Sequence, residues 1–270
     1  MKLGFIGMGN MGRLLVTALV RAGALEPGEV LIWSRTAEKR DRVAAALPGV
    51  QAAFGGRDLA RRADVIFLCV KPRETAAVLE EIGPYITGDH LLVIINNTLT
   101  LAQMEARTPA RVAKVIPSVV HTVGCGASLL AFGRRCTHTD RALLVRLMQA
   151  VSRPYVLPEE AVRTASDLTS CGPAFLSLVF QALAEAARER APGLSREAAA
   201  AMVRETARAT CELMEQMGYA FEDVIDRVST PGGVTAAGIE VLRARLAGLW
   251  DEVLAATAAH EAEKRAQLEL

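Results

Sequence analysis

Short apolar runs recur through the first half of the chain and are separated by stretches with helical periodicity. Most of these runs are continuous rather than alternating in polarity, which is typical of strands covered on both faces. Strands and helices alternate, so the pattern predicts an α/β fold, a Rossmann-type doubly wound parallel sheet. The predicted strands are Leu3–Ile6, Val30–Trp33, Val65–Val70, Leu91–Ile95, Arg111–Ile116, Ala127–Ala131 and Tyr155–Leu157, with helices at Leu14–Val20, Ala37–Ala46, Glu74–Ile82 and Leu101–Ala106.

The pattern changes near Ala161, where the strand signals end. Three long stretches rich in Ala, Leu, Glu and Arg follow, at Pro173–Arg190, Arg196–Met217 and Val234–Lys264. We therefore expect two domains, an α/β domain at residues 1–160 and an all-helical domain at residues 161–270.

The last helical stretch carries a narrow apolar seam. Its members step by three and four residues, a spacing that suits packing against another helix. The seam could be covered inside its own domain. A small helical domain with several apolar faces often needs a second copy to cover them, so we expect a homodimer, or an oligomer built from dimers, joined through this half. The seam residues are Ile239, Leu242, Leu246, Leu249 and Val253.

The overall charge excludes one class of partner. The chain has 31 Lys and Arg against 30 Asp and Glu, so it lacks the basic excess that marks nucleic-acid binding. No uninterrupted apolar run reaches the length of a membrane span, and the first residues do not have the pattern of a signal peptide. We expect a cytoplasmic protein without a membrane or nucleic-acid partner.

Cysteine and histidine do not suggest a metal site. The five cysteines are scattered, with no Cys-x-x-Cys pair, which suits reduced thiols. The four histidines lack the His-x-x-x-His spacing of a helical metal site. These spacings predict no metal site. Among the histidines, only His121 falls where a cofactor cleft is expected.

A glycine-rich loop joins the first predicted strand to the first helix. Gly7 would allow a tight turn, Gly9 the close approach of a pyrophosphate, and Gly12 the packing of helix on strand. A plain glycine turn is the alternative, but strand and helix both stand where the dinucleotide fingerprint requires them. The predicted cofactor-binding loop is Gly7, Met8, Gly9, Asn10, Met11 and Gly12.

The end of the second strand indicates which dinucleotide binds. NAD-binding chains usually place an acid there for the ribose 2′-hydroxyl, whereas this chain has Ser34-Arg35-Thr36. Arg35 can bind a 2′-phosphate through two N–H groups, and the hydroxyls of Ser34 and Thr36 can add donors. We therefore predict NADP(H), with a solvated surface arginine as the alternative for Arg35.

The carboxyl ends of the next strands should border the same crevice. Val70, Lys71 and Pro72 follow the strand that begins at Val65, and Asn96 follows the strand that begins at Leu91. We place these four residues at the cofactor. Lys71 could equally be a surface lysine at a strand end.

Several loops together resemble those of pyrroline-5-carboxylate reductases, and the resemblance runs nearly from end to end. It rests on Gly7–Gly12, on Val70-Lys71-Pro72, on Cys171-Gly172-Pro173-Ala174, and most specifically on Thr230-Pro231-Gly232-Gly233-Val234-Thr235. The resemblance implies an N-terminal Rossmann domain that binds NAD(P)H and a helical C-terminal domain that intertwines with its dimer mate. It also implies hydride transfer to the C=N carbon of 1-pyrroline-5-carboxylate, which gives proline.

Two loops are then candidates for the substrate, a cyclic imine carboxylate. Successive N–H groups where the last helix begins suit its carboxylate, so we predict contacts from Gly232, Gly233, Val234 and Thr235. The resemblance implies that Thr235 is catalytic and donates near the imine nitrogen. Thr235 would also suit the N-cap of a helix that starts at Ala236.

The second candidate loop for the substrate is Ser170, Cys171 and Gly172, just before the helix that begins at Pro173. The dipole of that helix would assist the substrate carboxylate. Alternatively, Thr169 and Ser170 only cap the helix, with Pro173 in its first turn.

The chain departs from the family where the reaction is expected. Asn96-Asn97-Thr98 replaces the usual Ala-Ala-Gly, and Ser118-Val119 stands where Asn-Thr is usual; Cys171 replaces a serine. These changes resemble the late competence protein (ComER-like) branch of the family. Three functions remain open: pyrroline-5-carboxylate reduction, a regulatory or interaction role that keeps the nucleotide site, and reduction of a different small imine or keto acid.

Overall fold

A computed structural model of the chain describes residues 1–268. Within them the predicted strands Leu3–Ile6, Val30–Trp33 and Arg111–Ile116 form with the predicted bounds, while the other predicted strands differ by a few residues. The strands are β1 (Leu3–Ile6), β2 (Val30–Trp33), β3 (Gln51–Ala52), β4 (Val65–Leu68), β5 (Leu91–Ile94), β6 (Arg111–Ile116), β7 (Ala127–Phe132) and β8 (Arg153–Val156).

The helices extend the predicted set with four short elements. Of these, the helix His138–Gln149 could have been found from its capping box, since Thr137 and Asp140 hydrogen-bond reciprocally at its start. The helices are α1 (Asn10–Arg21), α2 (Ala37–Ala46), α3 (Gly56–Arg62), α4 (Thr75–Ile82), α5 (Leu101–Glu105), α6 (His138–Gln149), α7 (Glu159–Ser166), α8 (Gly172–Arg190), α9 (Arg196–Met217), α10 (Phe221–Val228), α11 (Val234–Leu246) and α12 (Leu249–Ala266).

The strands form a single sheet in the order β3-β2-β1-β4-β5-β6-β7-β8. All neighbouring pairs are parallel except β6 and β7, which are antiparallel because residues 117–126 turn the chain back. The predicted fold class is confirmed, a doubly wound Rossmann sheet followed by a helical region. The parallel prediction needs correction at the last two strands, since β8 pairs parallel with β7 and both run opposite to β1–β6.

Apolar side chains cover both faces of the sheet. One layer is built on Phe5 and Phe67, whose rings stack with centroids 4.7 Å apart. The other is built on residues such as Ile6, Ile66 and Leu92, all fully buried. Continuous apolar strands are what a sheet covered on both faces requires, so the polarity pattern follows from this arrangement.

By compactness the chain divides into two units, Met1–Gly172 with the C-terminal segment from Thr257, and Pro173–Ala256. The boundary predicted between residues 160 and 161 lies earlier than this division. The reason is that α7 packs against β7 and so belongs to the first unit.

The second unit is all helical, as expected, but the last predicted helix is interrupted. It divides into α11 and α12 at Gly248, whose positive φ of 77° ends the helical path. The predicted seam is therefore split between two helices. Its members Leu242, Leu246 and Leu249 are each more than two-fifths exposed in the single chain, so the chain itself does not cover them.

Among the described residues, one helical stretch, Glu159–Arg190, is long and apolar enough by length and composition to cross a membrane. Charged residues interrupt the apolar run of this stretch, so the sequence shows no continuous apolar segment of that length. Core helices of other proteins meet the same criterion, so the observation is weak evidence for a membrane span.

Candidate functional site

The loop after β1 has the geometry that the glycine fingerprint predicts. Gly7 adopts a positive φ of 101°, which favours glycine. A Cβ on Gly12 would collide with the carbonyl oxygen of Gly7 and lie 2.9 Å from the Cβ of Cys69. The two glycines therefore let α1 pass close to the ends of β1 and β4.

The first turn of α1 is open to an anion. Gly9 precedes the helix without a side-chain cap, and the first helical bond runs from the N–H of Arg13 to the carbonyl of Gly9. The N–H groups of Asn10, Met11 and Gly12 thus have no partner within the helix. A Cβ on Gly9 would meet nothing within 4 Å, which leaves room for a pyrophosphate. The loop fits a dinucleotide.

The other three members of the predicted loop differ in their exposure. The Met8 side chain is 3% exposed and packs in the core, so it can serve a nucleotide only through its backbone. Asn10 is exposed and Met11 is half-buried at the start of α1.

The Ser34–Thr36 segment follows β2 as predicted, but Arg35 already has a partner. Its Nη2 lies 3.0 Å from Oε1 of Glu74, and the Arg35 side chain is 83% exposed. Thr36 precedes α2 without a side-chain capping bond. Sequence reasoning missed Glu74, because it follows β4 and nothing local connects it with Arg35.

The corner after β4 lies beside the glycine loop. A Cβ on Gly7 would lie 2.9 Å from Cγ1 of Val70, so the two segments are in close contact. Lys71 is exposed, and Pro72 opens a short 3₁₀ turn that ends at Glu74. Burial raises the pKa of the neighbouring Cys69 thiol to about 12, which keeps it protonated and unreactive.

The asparagines after β5 make local contacts. Asn96 accepts a hydrogen bond from the N–H of Leu99 at 3.1 Å, so its amide oxygen closes a turn. Asn97 donates to the hydroxyl of Ser166 at 2.7 Å, and its carbonyl accepts from Arg265 at 3.1 Å. Both stand at the carboxyl edge of the sheet as expected. Oδ1 of Asn96 and Nδ2 of Asn97 have protein partners, whereas the buried Oδ1 of Asn97 has none among the described residues.

The corner after β6 is held by the predicted cleft histidine. Nδ1 of His121 accepts from the N–H of Ser118 at 3.2 Å, and Nε2 lies 3.2 Å from the carbonyl of Ala127. Burial lowers the pKa of His121, which favours the neutral ring that these two contacts require. His121 therefore positions the corner and leaves no ring nitrogen for a substrate.

The Ser170 loop differs from the prediction. The helix runs on from α7 through a π-helical turn, Asp167–Cys171, into α8, so no free helix N-terminus lies before Pro173. The wide turn suits Pro173. In a regular α-helix its ring would crowd the carbonyl four residues earlier, and it has no N–H to donate to that carbonyl. The alternative in which Thr169 and Ser170 cap a helix is therefore wrong, and the helix dipole expected at this position is absent because the helix does not begin there.

The π turn is tied to the β6 corner by two serines. The Ser170 hydroxyl donates to the carbonyl of Pro117 at 2.8 Å, and the Ser118 hydroxyl donates to the carbonyl of Thr169 at 2.7 Å. Burial, together with the Asp167 carboxylate, raises the pKa of the Cys171 thiol. The thiol thus stays protonated, and Gly172 beside it is buried at the start of α8.

The Thr230–Thr235 loop lies in the second unit and forms a tight turn before α11. The N–H of Gly233 bonds the carbonyl of Thr230 at 2.9 Å, and Gly232 has a positive φ of 74°. Gly233 precedes α11 without a side-chain cap, so the helix starts at Val234. The alternative reading of Thr235 as an N-cap is therefore wrong, because Thr235 lies inside the first turn.

The start of α11 is exposed and open. Val234 is 94% exposed, and within residues 1–268 the Thr235 hydroxyl makes no hydrogen bond. The first-turn N–H groups point out of an uncapped 13-residue helix. These features suit a carboxylate ligand next to a hydroxyl donor.

A charged cleft of about 390 Å³ was not predicted from the sequence. The buried ammonium of Lys114 lies 2.8 Å from Oε1 of Glu159, and Arg163 lies 2.9 Å from Glu261. Opposite charges pair across the cleft, so it serves to join β6, α7 and α12 within the first unit. In the described part of the chain no group of three or more His, Cys, Asp and Glu side chains could hold a metal ion.

The chain is similar to known proteins in sequence and fold. Residues 159–264 match the family model described as pyrroline-5-carboxylate reductase dimerisation. The ComE operon protein 4 of Bacillus subtilis (strain 168) is 33% identical over 253 residues, which cover 94% of this chain and 92% of that protein. The chain belongs to the pyrroline-5-carboxylate reductase family. The resemblance drawn from the loops is thereby confirmed.

Solved structures of the pyrroline-5-carboxylate reductase family agree. The reductase from Coxiella burnetii is 27% identical, with a TM-score of 0.87 and 97% of each chain covered. The NADP-bound pyrroline carboxylate reductase of Plasmodium falciparum has a TM-score of 0.83 at 24% identity, with 98% of this chain and 96% of that chain covered. Residues 2–98 match a model described as NADP oxidoreductase, coenzyme F420-dependent. The NADP(H) prediction is thus confirmed at the level of the family.

Proposed function

We propose that the protein is a dimeric NADPH-dependent reductase of 1-pyrroline-5-carboxylate. One observation carries the substrate part of this proposal. An uncapped helix N-terminus on α11 presents free N–H groups beside Thr235, whose hydroxyl is unengaged in the described chain. A small carboxylated imine needs both an anion site and a donor, and α11 offers the two within one turn.

The nucleotide half of the proposal rests on the first unit. Gly7, Gly9 and Gly12 would hold the pyrophosphate at the first turn of α1, and Ser34, Arg35 and Thr36 would bind the 2′-phosphate. Val70, Lys71, Pro72 and Asn96 border the same edge of the sheet. A hydride for the C=N carbon is the chemistry that bound NADPH supplies.

The protein residues bind and orient in this mechanism. The first-turn N–H groups of Val234 and Thr235 hold the carboxylate, and the Thr235 hydroxyl donates near the imine nitrogen; the N–H of Gly233 is bonded to the carbonyl of Thr230. Reduction of the imine takes a hydride at carbon and a proton at nitrogen, and an imine that arrives protonated already carries the latter. Thr235 therefore aligns and polarises the C=N bond without having to act as an acid.

The dimer is proposed to form through residues 159–264, the part that the dimerisation model matches. The exposed apolar side chains of the second unit support it, since a second copy would remove them from water. They include Leu176, Leu178, Leu183, Met202, Phe221, Leu242 and Leu249. The cytoplasmic location remains a prediction.

The decisive experiment mixes the purified protein with NADPH and racemic pyrroline-5-carboxylate and follows the nicotinamide absorbance. Turnover supports the reductase. Thr235→Ser should keep most of the activity, whereas Thr235→Val, of matched size, should remove it with the fold intact. An active Thr235→Val enzyme would exclude the donor role.

A second function is favoured by one feature of the site. Around the carboxyl ends of β5 and β6, the donors of Asn97, Ser118 and Ser170 are all engaged within the protein. From this, together with the similarity to ComE operon protein 4, we infer a competence-associated regulatory or interaction protein that keeps the nucleotide but reduces little. Micromolar NADPH binding without turnover on any small imine or keto acid would support this function; turnover only on another imine or keto acid would indicate a different substrate.

A further inference from the structure

An ion pair joins the second and fourth strands at their carboxyl ends. Nη2 of Arg35 lies 3.0 Å from Oε1 of Glu74. The other carboxylate oxygen of Glu74 accepts the N–H of Lys71 at 3.2 Å, which fixes the carboxylate in the turn after β4. Glu74 is thus anchored by its own backbone turn, whereas Arg35 is largely exposed and can move.

The pair lies where a dinucleotide has to pass. In the sheet, β1 separates β2 from β4, with Ile6 paired to Trp33 on one side and to Leu68 on the other. Neighbouring strands lie about 4.8 Å apart, so the pair spans about 10 Å across the end of β1. The glycine loop that follows β1 lies at this end of the sheet.

The charges of the pair bear on the choice between NADPH and NADH. A phosphate monoester carries about two negative charges at neutral pH, and a ribose hydroxyl carries none. Glu74 neutralises the cation that the 2′-phosphate needs, and its carboxylate repels that phosphate at short range. NADH has no group that competes for Arg35, so the pair can stay closed when NADH binds.

We propose that Glu74 is a specificity-determining residue that competes with the 2′-phosphate for Arg35 and so limits the preference for NADPH over NADH. This inference rests on the proposed role of Arg35 in 2′-phosphate binding. The anchored carboxylate stays in place while Arg35 turns from Glu74 to the phosphate.

Glu74→Gln tests the inference with little change of shape. The amide oxygen still accepts from the N–H of Lys71, and only the negative charge is lost. We expect NADPH to bind about threefold or more tightly, while the Kd for NADH stays within about twofold, as suits the loss of an exposed competing pair. Nicotinamide fluorescence or calorimetry measures both constants without turnover.

Glu38→Gln is a matched control. Glu38 lies in α2, close to Arg35 in sequence, but its carboxylate pairs with Arg42 at 2.8 Å. The substitution removes the same charge near the same strand end and leaves the Arg35–Glu74 pair intact. Its effect on the NADPH to NADH ratio should be smaller than that of Glu74→Gln, and an equal effect would mean general electrostatics and overturn the inference.

Arg35→Ala separates the two proposals. Loss of the NADPH preference in Arg35→Ala, with a smaller effect of Glu74→Gln in that background than in the native one, supports both. Loss of the preference in Arg35→Ala with no effect of Glu74→Gln in the native background overturns the role of Glu74 alone. An unchanged preference in Arg35→Ala overturns the role of Arg35, and with it that of Glu74.

Discussion

The Ser170 hydroxyl donates a hydrogen bond to the carbonyl oxygen of Pro117, 2.8 Å away. The two residues lie far apart in sequence, one in a π-helical turn and the other directly after β6. The bond fixes the turn against the edge of the sheet. A residue predicted to contact the substrate therefore has its single proton committed to the fold.

Ser170→Ala should lower the free energy of unfolding by about 1 kcal/mol, because a part-buried carbonyl loses its donor. NADPH affinity should stay within about twofold, since only a positioning contact is removed. Urea denaturation and a nucleotide titration measure the two effects. A variant with unchanged stability and a raised KM would show instead that Ser170 acts on the substrate.

Gly12→Ala and Gly9→Ala should separate packing from nucleotide binding. The Cβ of Gly12→Ala would meet the carbonyl oxygen of Gly7, so the backbone must shift at a cost of about 2 kcal/mol, and nucleotide binding should be lost with it. The Cβ of Gly9→Ala meets no protein atom within 4 Å. Gly9→Ala should keep the native Tm and weaken NADPH about tenfold or more, because the methyl group fills the place of the pyrophosphate. Normal NADPH binding by Gly9→Ala would contradict this placement.

His121 should make stability depend on pH. Burial lowers the pKa of His121 in the folded state, so the unfolded chain binds the proton more readily. The stability that the neutral His121 ring contributes is complete above the unfolded pKa of about 6.5. It is lost as the pH falls below that value, by up to about 1.4 kcal/mol per pH unit.

Urea denaturation of the native protein and His121→Gln between pH 8 and pH 5 measures this difference. The glutamine variant should be less stable at pH 8 but should show a shallower decline. Parallel curves for the two proteins would mean that His121 does not titrate on unfolding.

Lys114 and Glu159 should couple in a double-mutant cycle. Lys114 is 2% exposed, and its ammonium donates to Glu159, which also accepts the N–H of Leu101 at 2.8 Å. Burial lowers the pKa of Lys114 although Glu159 opposes the shift. Lys114→Met should cost about 2 kcal/mol because it leaves the carboxylate without its cation.

Glu159→Gln keeps the acceptor for Leu101 and removes the charge. The double variant Lys114→Met/Glu159→Gln should therefore be more stable than Lys114→Met alone, with a coupling of about 1 kcal/mol or more in chemical denaturation. Additive effects would show that the pair contributes nothing beyond its separate residues.

How well each element could be predicted depended on the length of its hydrophobic pattern. Strands such as Leu3–Ile6 and Val30–Trp33 were predicted with their bounds, because a parallel strand covered on both faces is apolar almost throughout. The two-residue strand Gln51–Ala52 and the short helix Gly56–Arg62 were missed, since neither is long enough to show a period. The prediction of one continuous helix over Val234–Lys264 was wrong at Gly248, where the glycine ends the first helix.

The sequence by itself determined the buried strands, the glycine loop and the helical second half, because each depends on neighbours a few positions away. Only the tertiary structure decided which partners the functional side chains have. Arg35 meets Glu74 because β1 lies between their strands, and Ser170 meets Pro117 because the helix continues unbroken through the π turn. Such contacts depend on strand order and helix continuity, which the hydrophobic pattern of one chain does not encode locally.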